Sequence, residues 1–456
     1  MKYFLVFFLA LCGCTATQKD TPSRVETIVS DVKILDVRNG NVLAEKHVMI
    51  DSGKILQIID SSAELPDADT VINGSGKFLM PGLAEMHAHI PSPEWGRNLT
   101  KETLFLYLSN GVTTIRGMLG HPIHLELREQ AKNNEILSPR IYTSSPSLNG
   151  NTVPTKEEAR NKVMTYHDEG YDFLKLHPGI KREVFDEIVK TAQEVGIPYA
   201  GHVSVFVGIR HALESNYTSV DHVDGFLEGL VPESADVAPD ENGFFGYSFT
   251  DLVEQEKISE LVALTQEHDV WVVPTQSLFD RWFSPEDPSV LASAPEMKYM
   301  PASTLDDWIN SKQGLISDEN YKPEMWEKFN EIRKKIILQL HQEGQGLLLG
   351  SDAPQVFNVP GFSIHHELEG MIDAGLTPAE ALRIGTLNPA IFFGREGDFG
   401  EVVEGASADL ILLPGNPLED LSVLKEHEGV MVRGRWLSRE EIERRLAEIA
   451  ENASQM

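Results

Sequence analysis

Cysteine is almost absent from this chain. Only Cys12 and Cys14 occur, both near the start, so no disulfide framework holds the fold. Positive charge is scarce too. Against 70 Asp and Glu stand 39 Lys and Arg, a formal net charge of −31. Such a surface repels nucleic acid and anionic membrane, and nucleic acid is excluded as a partner. Long apolar runs are missing. Residues 3–11 are apolar but too few to span a bilayer comfortably, and no later stretch is apolar enough. No internal repeat appears, and no low-complexity tract beyond the polar residues 15–24.

What is present begins with an address. Met1-Lys2 gives a short positive start, residues 3–11 an apolar core, and Leu11-Cys12-Gly13-Cys14 resembles a bacterial lipobox. The reading is a signal peptide over 1–13, lipidation at Cys14 and a polar tether over 14–24. It places the protein outside the cytoplasm, lipid-anchored in the cell envelope, in the periplasm or at the outer membrane. The remaining length suits one large barrel with a smaller attached domain, or two to three ordinary domains. A hydrophobic fraction of 41% is enough for a real core.

Residues 25–75 read as short strands and turns. Val32-Lys33-Ile34-Leu35 alternates, Asn39-Gly40 is a hairpin turn, and Ser52-Gly53-Lys54 is another. Strand patterns return within 400–437. These are too few to stand alone, so both chain ends are expected to share one β-sandwich. Ser438 caps a final helix over 438–456.

Between the ends, strand and helix patterns alternate, the mark of βα units around a parallel sheet. Eight candidate strands span 83–89, 112–117, 140–144, 171–177, 198–202, 219–222, 270–275 and 346–352. Eight implies a closed α/β (β/α)8 TIM-like barrel over 76–399. Helices fit at 101–109, 122–133, 155–169 and 182–195. One oversized connection, 276–345, carries six of the chain's larger aromatics and reads as a lid or pocket wall. Most of those aromatics are its own core.

Metal-type residues recur at the strand ends. His87 and His89 lie two apart, so on a strand both imidazoles face one side. Lys175 lies near the end of the fourth strand, His202 ends the fifth, His222 the sixth and Asp352 the eighth. The C-terminal strand ends of such a barrel open on one face, where these folds keep their active sites. Each residue has a plain structural explanation alone; six at the expected ends do not.

These motifs resemble the amidohydrolase superfamily, in its imidazolonepropionase-like and prolidase-like branch. The resemblance covers about residues 25–437. It is carried by Pro81-Gly82-Leu83 through His87-x-His89, Gly111-Val112-Thr113-Thr114, Asp172-Phe173-Leu174-Lys175, Gly201-His202, His222 and Gly350-Ser351-Asp352. It implies that His87, His89 and Asp352 hold one divalent ion, and His202 and His222 a second. Lys175, carboxylated by carbon dioxide, would bridge the two. Zinc suits this ligand set best, though manganese, cobalt or iron fit it. The implied reaction is hydrolysis of an amide, Xaa-Pro or N-acyl peptide, or cyclic amide C–N bond by a hydroxide shared between the metals. Asp352 is the proton carrier. An esterase or lactonase on the same site, and a non-catalytic ligand-binding lipoprotein, are the alternatives.

Substrate contacts are weakly coded. His177, two residues beyond Lys175, and Arg116, as a carboxylate binder, are the candidates. Residues 147–151 lack the histidine of the family's usual Gly-Gly-His-like loop, and Gly117 stands where an acid is common. His365-His366-Glu367 falls after the eighth strand and reads as rim or substrate-wall structure. The expected partners are a small-molecule substrate, a membrane reached only through the lipid, and, compatible with the fold, a second copy in a homo-oligomer.

Overall fold

The computed structural model describes residues 22–92, 94, 97–344 and 346–455. The signal peptide, Cys14 and most of the tether lie outside the described residues. No helix among those described is long and apolar enough to cross a membrane.

The chain opens with β1 (Arg24–Asp36), β2 (Asn41–Asp51), β3 (Lys54–Asp60), β4 (Asp67–Asn73) and β5 (Phe78–Pro81). Asn39-Gly40 does turn β1 into β2. The Asp36 carboxylate accepts from the backbone N–H of Arg38 and Asn39, and Gly40 takes a φ of 65°. Then come β6 (Leu83–Ala88), β7 (Val112–Gly117), β8 (Arg140–Thr143), β9 (Leu174–Leu176), β10 (Tyr199–Gly201), β11 (Ser219–Asp221) and β12 (Trp271–Val273). The tail adds β13 (Leu410–Leu413), β14 (Gly429–Val432) and β15 (Arg435–Ser438).

The two chain ends build one eight-stranded sheet, ordered β15-β14-β13-β5-β1-β2-β3, with β4 on β1. It is mixed rather than purely antiparallel, because β1 pairs parallel with both β4 and β5. β1 is long enough to serve both. Register shifts between Val29, Val32 and Ile34 bend it. Residues from both ends of the sheet, Val48 and Ile50 with Leu410 and Met431, pack in one cluster, so the sheet curls over its own core. β5 joins this sheet although it falls inside the span expected for the barrel.

The middle strands pair in parallel as β6-β7-β8 and β9-β10-β11-β12. Isolated parallel bridges extend them. Ser144 meets Phe173, Val272 meets Leu347, and Ala88 meets Ala353. Parallel pairing therefore passes through eight segments and returns to β6, a TIM-barrel-like arrangement beside the extra β domain. The eighth segment is held by those bridges and by bonds such as Met86 N–H to Leu349 O at 2.8 Å, without a regular strand of its own. Helices Pro122–Lys132, Lys156–Glu169 and Arg182–Val195 follow the sequence expectation closely. The last buries Val184, Phe185, Ile188, Thr191 and Ala192, one stripe at helical spacing.

The 276–345 connection is helical, ending in Pro323–Gln342. Its Trp282, Tyr321 and Trp326 pack into the main core, and Tyr299 and Trp308 into a second cluster. A second long connection, 222–257, has mostly short helical turns and was not foreseen. The final helix, Arg439–Ala453, starts where Ser438 Oγ accepts the Glu441 N–H.

Candidate metal centre

β6 is buried along its whole length; it carries one imidazole, His87, and His89 follows directly after its end. The Glu85 carboxylate braces this turn. It accepts from His87 N–H at 3.0 Å, Ser351 N–H at 2.8 Å and Ser351 Oγ. That fastens the end of β6 to the eighth segment and brings Asp352 to the histidines. Asp352 Oδ1 lies 2.6 Å from His89 Nε2 and 3.4 Å from His87 Nε2.

His222 follows β11, its ring centroid 4.5 Å from that of His87 and 4.6 Å from that of His202. His202 Nδ1 is held by Asp224 at 3.1 Å and His222 Nδ1 by Thr275 at 2.8 Å. In both rings the other nitrogen is left for a ligand, as in histidines that bind metals. Gly201 makes this packing possible. A Cβ there would lie 2.4 Å from Leu176 O and 3.0 Å from Lys175 Cδ, and its φ is +128°. His222, Thr275 and Asp352 adopt left-handed φ of 67°, 48° and 65°. Non-glycine residues tolerate this only where surroundings force it, commonly at functional sites.

Lys175 on β9 is fully buried, with Nζ 3.4 Å from Asp221 Oδ2. Burial lowers its amine below the ordinary lysine value, against the opposing pull of Asp221 and Asp352. Burial, then the Lys175 charge among its neighbours, keeps His87 well below the usual imidazole value; His222 is lowered likewise. Neutral imidazoles are the ligand form.

The donor chemistry fits a divalent ion. Ligand atoms of His87, His89 and Asp352 all lie within 4.8 Å of one another. His87 Nδ1 is buried without a hydrogen bond, although Asp221 Oδ2 is 3.2 Å away. Two imidazoles and a carboxylate, enclosed and converging, are a zinc-type donor set.

Beside His202 opens a cavity of about 370 Å³ whose walls include Val205, Phe206, Asn242, Phe244 and Phe245. Phe206 is 50% and Phe244 46% exposed, unusual for side chains so large. Phe245 stands 5.4 Å from the His222 ring and 5.9 Å from His202. No Lys or Arg lines this cavity among the described residues. A larger cavity, about 640 Å³, lies against Ile209, Arg210 and Phe249 and holds none of the strand-end residues. Volume alone does not mark the chemistry.

The sequence model of the Amidohydrolase family matches residues 78–437, most of the chain. The chain belongs to the amidohydrolase family. The chain is 35% identical to the ochratoxinase of Aspergillus niger over 433 residues, covering 84% of this chain and 80% of that one. It is 22% identical to an adenine deaminase of Chelativorans sp. (strain BNC1) over 412 residues, 85% of this chain. It spans about half of that protein's length, 54%. Among solved structures, a bottromycin amidohydrolase superposes with a TM-score of 0.71 at 21% identity, covering 93% of this chain and 90% of that one.

In this amidohydrolase-family chain the six expected ligands come together, five in direct contact and Lys175 reaching His87 through Asp221. His177 joins them, its ring stacked on His202 at 5.0 Å and its Nδ1 2.9 Å from Ser147 Oγ. Burial holds it at about 2, hence neutral. Arg116 does not act as expected. It is 1% exposed, and its guanidinium donates to Met86 O, Ser219 Oγ and Asp221 Oδ1 at 2.7, 2.9 and 2.9 Å. Three of its five N–H groups are engaged in this way, and the side chain is buried and lines neither cavity described above. Arg116 instead braces Asp221. Burial works to raise that carboxyl, but Arg116 and Lys175 outweigh it and hold Asp221 below its ordinary range.

Asp221, Asp224, Glu85 and Thr275 escaped the sequence reading. So did Arg333, which is fully buried and donates to His222 O at 2.6 Å and Pro274 O at 2.9 Å. Asp221 had one visible signal, its place beside His222 at a strand end. His365 and Glu367 make structural hydrogen bonds. His365 bonds Asn110, and Glu367 accepts from the N–H of Gln276 and Ser277.

Proposed function

We propose that this chain is a metal-dependent hydrolase of carbon–nitrogen bonds. Its substrate is an amide, a peptide of Xaa-Pro or N-acyl amino acid type, or a cyclic amide. The observation that carries this reading is the convergence of His87, His89 and Asp352 at the strand ends of an amidohydrolase-family chain. His87, His89 and Asp352 would hold one divalent ion, zinc first, and His202 and His222 with Lys175 a second. When bound, such ions polarise the scissile carbonyl and make water a nucleophile near neutral pH.

The protein's own groups do the rest. Asp352 takes a proton from the attacking water and hands it to the leaving nitrogen, which departs neutral. Lys175 as an ammonium ligates nothing. To be carboxylated the ammonium first gives up one proton; the free amine then bonds carbon dioxide and loses a second, leaving one negative charge shared by two oxygens able to serve as ligands. Asp221 Oδ2, 3.4 Å from that nitrogen, then accepts its remaining N–H. Arg116 balances the Asp221 charge, and Glu85 keeps Asp352 in register with His87. Phe245 and His177 close the site on the side of His202 and limit water.

The cavity beside His202 suits a substrate whose group there is apolar or aromatic. With aromatic walls, Asp224 and Asp240 and no cation among its described lining, it disfavours a carboxylate. Export and a lipid on Cys14 belong to the same proposal, supported by Leu11-Cys12-Gly13-Cys14.

The test is turnover of paired N-acyl amides, one set with an aromatic group and one with an anionic group in its place. Each is run with chelated enzyme and after reloading with zinc or manganese. Metal-restored hydrolysis favouring the aromatic set supports the reading. Hydrolysis indifferent to chelation would overturn it.

A further inference from the structure

A strongly cationic cavity of about 470 Å³ lies where the β domain meets the start of β8, and it contains none of the strand-end ligands. Five basic residues line it: Lys54, Lys132, Arg140, Arg395 and Arg433. Only two acids do, Glu26 and Asp398. The lining alone carries three positive charges in excess; Asp409 behind the two arginines and Glu129 beside Lys132 offset part of it, on a chain whose net charge is −31. The acids are already engaged. Glu26 accepts from Ser52 N–H at 3.0 Å, and Asp398 pairs with Arg395 at 2.7 Å.

Two of the basic groups, Arg140 and Arg433, are held in place, while Lys54, Lys132 and Arg395 are exposed at the rim. Arg140 donates to Asp409 Oδ2 at 3.2 Å. Arg433 donates to Asn134 Oδ1 at 2.6 Å and Ser138 O at 3.0 Å. Asp409 Oδ1 also accepts the Arg433 backbone N–H at 2.7 Å, which fixes both arginines on one carboxylate. Yet Arg140 Nε and Arg433 Nη1 are buried and donate to nothing. Buried N–H donors without partners are rare in folded proteins and call for a ligand. Fixed guanidinium forks match tetrahedral oxyanions, and a lysine adds a mobile point charge.

We infer that this cavity binds a phosphate group, carried by a free phosphorylated small molecule or by a lipid headgroup. Several donors converging from separate guanidinium and ammonium groups suit a multiply charged oxyanion better than a single carboxylate. The site stands near the beginning of the domain. β1 starts at Arg24, and Glu26 lines the cavity. A headgroup source is therefore within the chain's own geometry if residues 1–23 lead to a membrane.

The test titrates the full chain with inorganic phosphate at low ionic strength, followed by calorimetry. The variant is Lys54→Glu with Arg395→Glu. Both residues are exposed, so the fold is retained, checked by circular dichroism; Lys54→Gln with Arg395→Gln is the milder second form. Four units of charge reversal beside the ligand should weaken binding by about tenfold or more. A second arm compares co-sedimentation with phosphatidylglycerol and phosphatidylcholine vesicles. Wild type and variant share the first residues, so the change in lipid difference between them reports on this cavity. Phosphate binding lost in the variant with no lipid difference assigns a free phosphorylated ligand. A lipid difference lost in the variant assigns the headgroup. Absence of phosphate binding, or equal binding by wild type and variant, overturns the inference.

Discussion

Replacing Arg116 by methionine tests how the site is braced. The change keeps an apolar stem between the Phe173 and Phe392 rings, which flank the guanidinium at 5.4 and 5.2 Å. It deletes the buried pair with Asp221 and leaves Met86 O without its 2.7 Å donor. Breaking a buried ion pair from one side costs about 3–5 kcal/mol. An orphaned buried carbonyl adds about 1–3 kcal/mol. Retained packing offsets part of this, so a loss of about 4–6 kcal/mol is expected. The assay is urea unfolding of chelator-treated protein, so that metal binding does not contribute. Asp221→Asn and the double variant complete a cycle. Removing the charge of Asp221 relieves the penalty left by Arg116→Met, and the coupling should be about 2 kcal/mol or more. A cost below about 1 kcal/mol, or effects additive within about 0.5 kcal/mol, would refute the bracing role.

Gly201→Ala should destabilise by about 2–4 kcal/mol, from the strained φ and the close approach of Leu176 O; an unchanged urea midpoint would contradict that packing. Lys175→Ala should lose most bound metal and activity, with partial rescue by a short carboxylic acid plus metal; full activity without rescue would remove the bridging role. Radiolabelled fatty acid should tag the wild type and not Cys14→Ser, and label on the variant would end the lipid-anchor proposal.

Much of the site was legible because its residues sit at the ends of short strands, where the chemistry reads linearly. His87 and His89 two apart, and Asp352 after Leu349-Gly350-Ser351, are of this kind. Arg116 was misread because all six residues of β7 are buried. When both faces of a strand are covered, alternation no longer tells a pocket from a core. Asp221 was missed for a different reason. Alternation sends adjacent residues to opposite faces, but the left-handed φ of His222 turns both toward the same cluster. No glycine marks that turn. The Phe244-Phe245 wall likewise opens a short helical turn too irregular to leave an α-helical or strand period, broken at Phe245 by a φ of 54°. In the β domain, hairpin turns were readable. The parallel pairing of β1 with β4 and β5 was not, because register between distant strands leaves no local mark.

The most direct test of a metal-dependent hydrolase centred on Asp352 is the turnover of Asp352→Asn at known metal content. An amide oxygen still ligates but accepts no catalytic proton. The variant, measured on an amide that the wild type hydrolyses, should keep at least part of its metal while its rate falls about a hundredfold or more. A metal-loaded variant working at close to the wild-type rate would contradict the assignment.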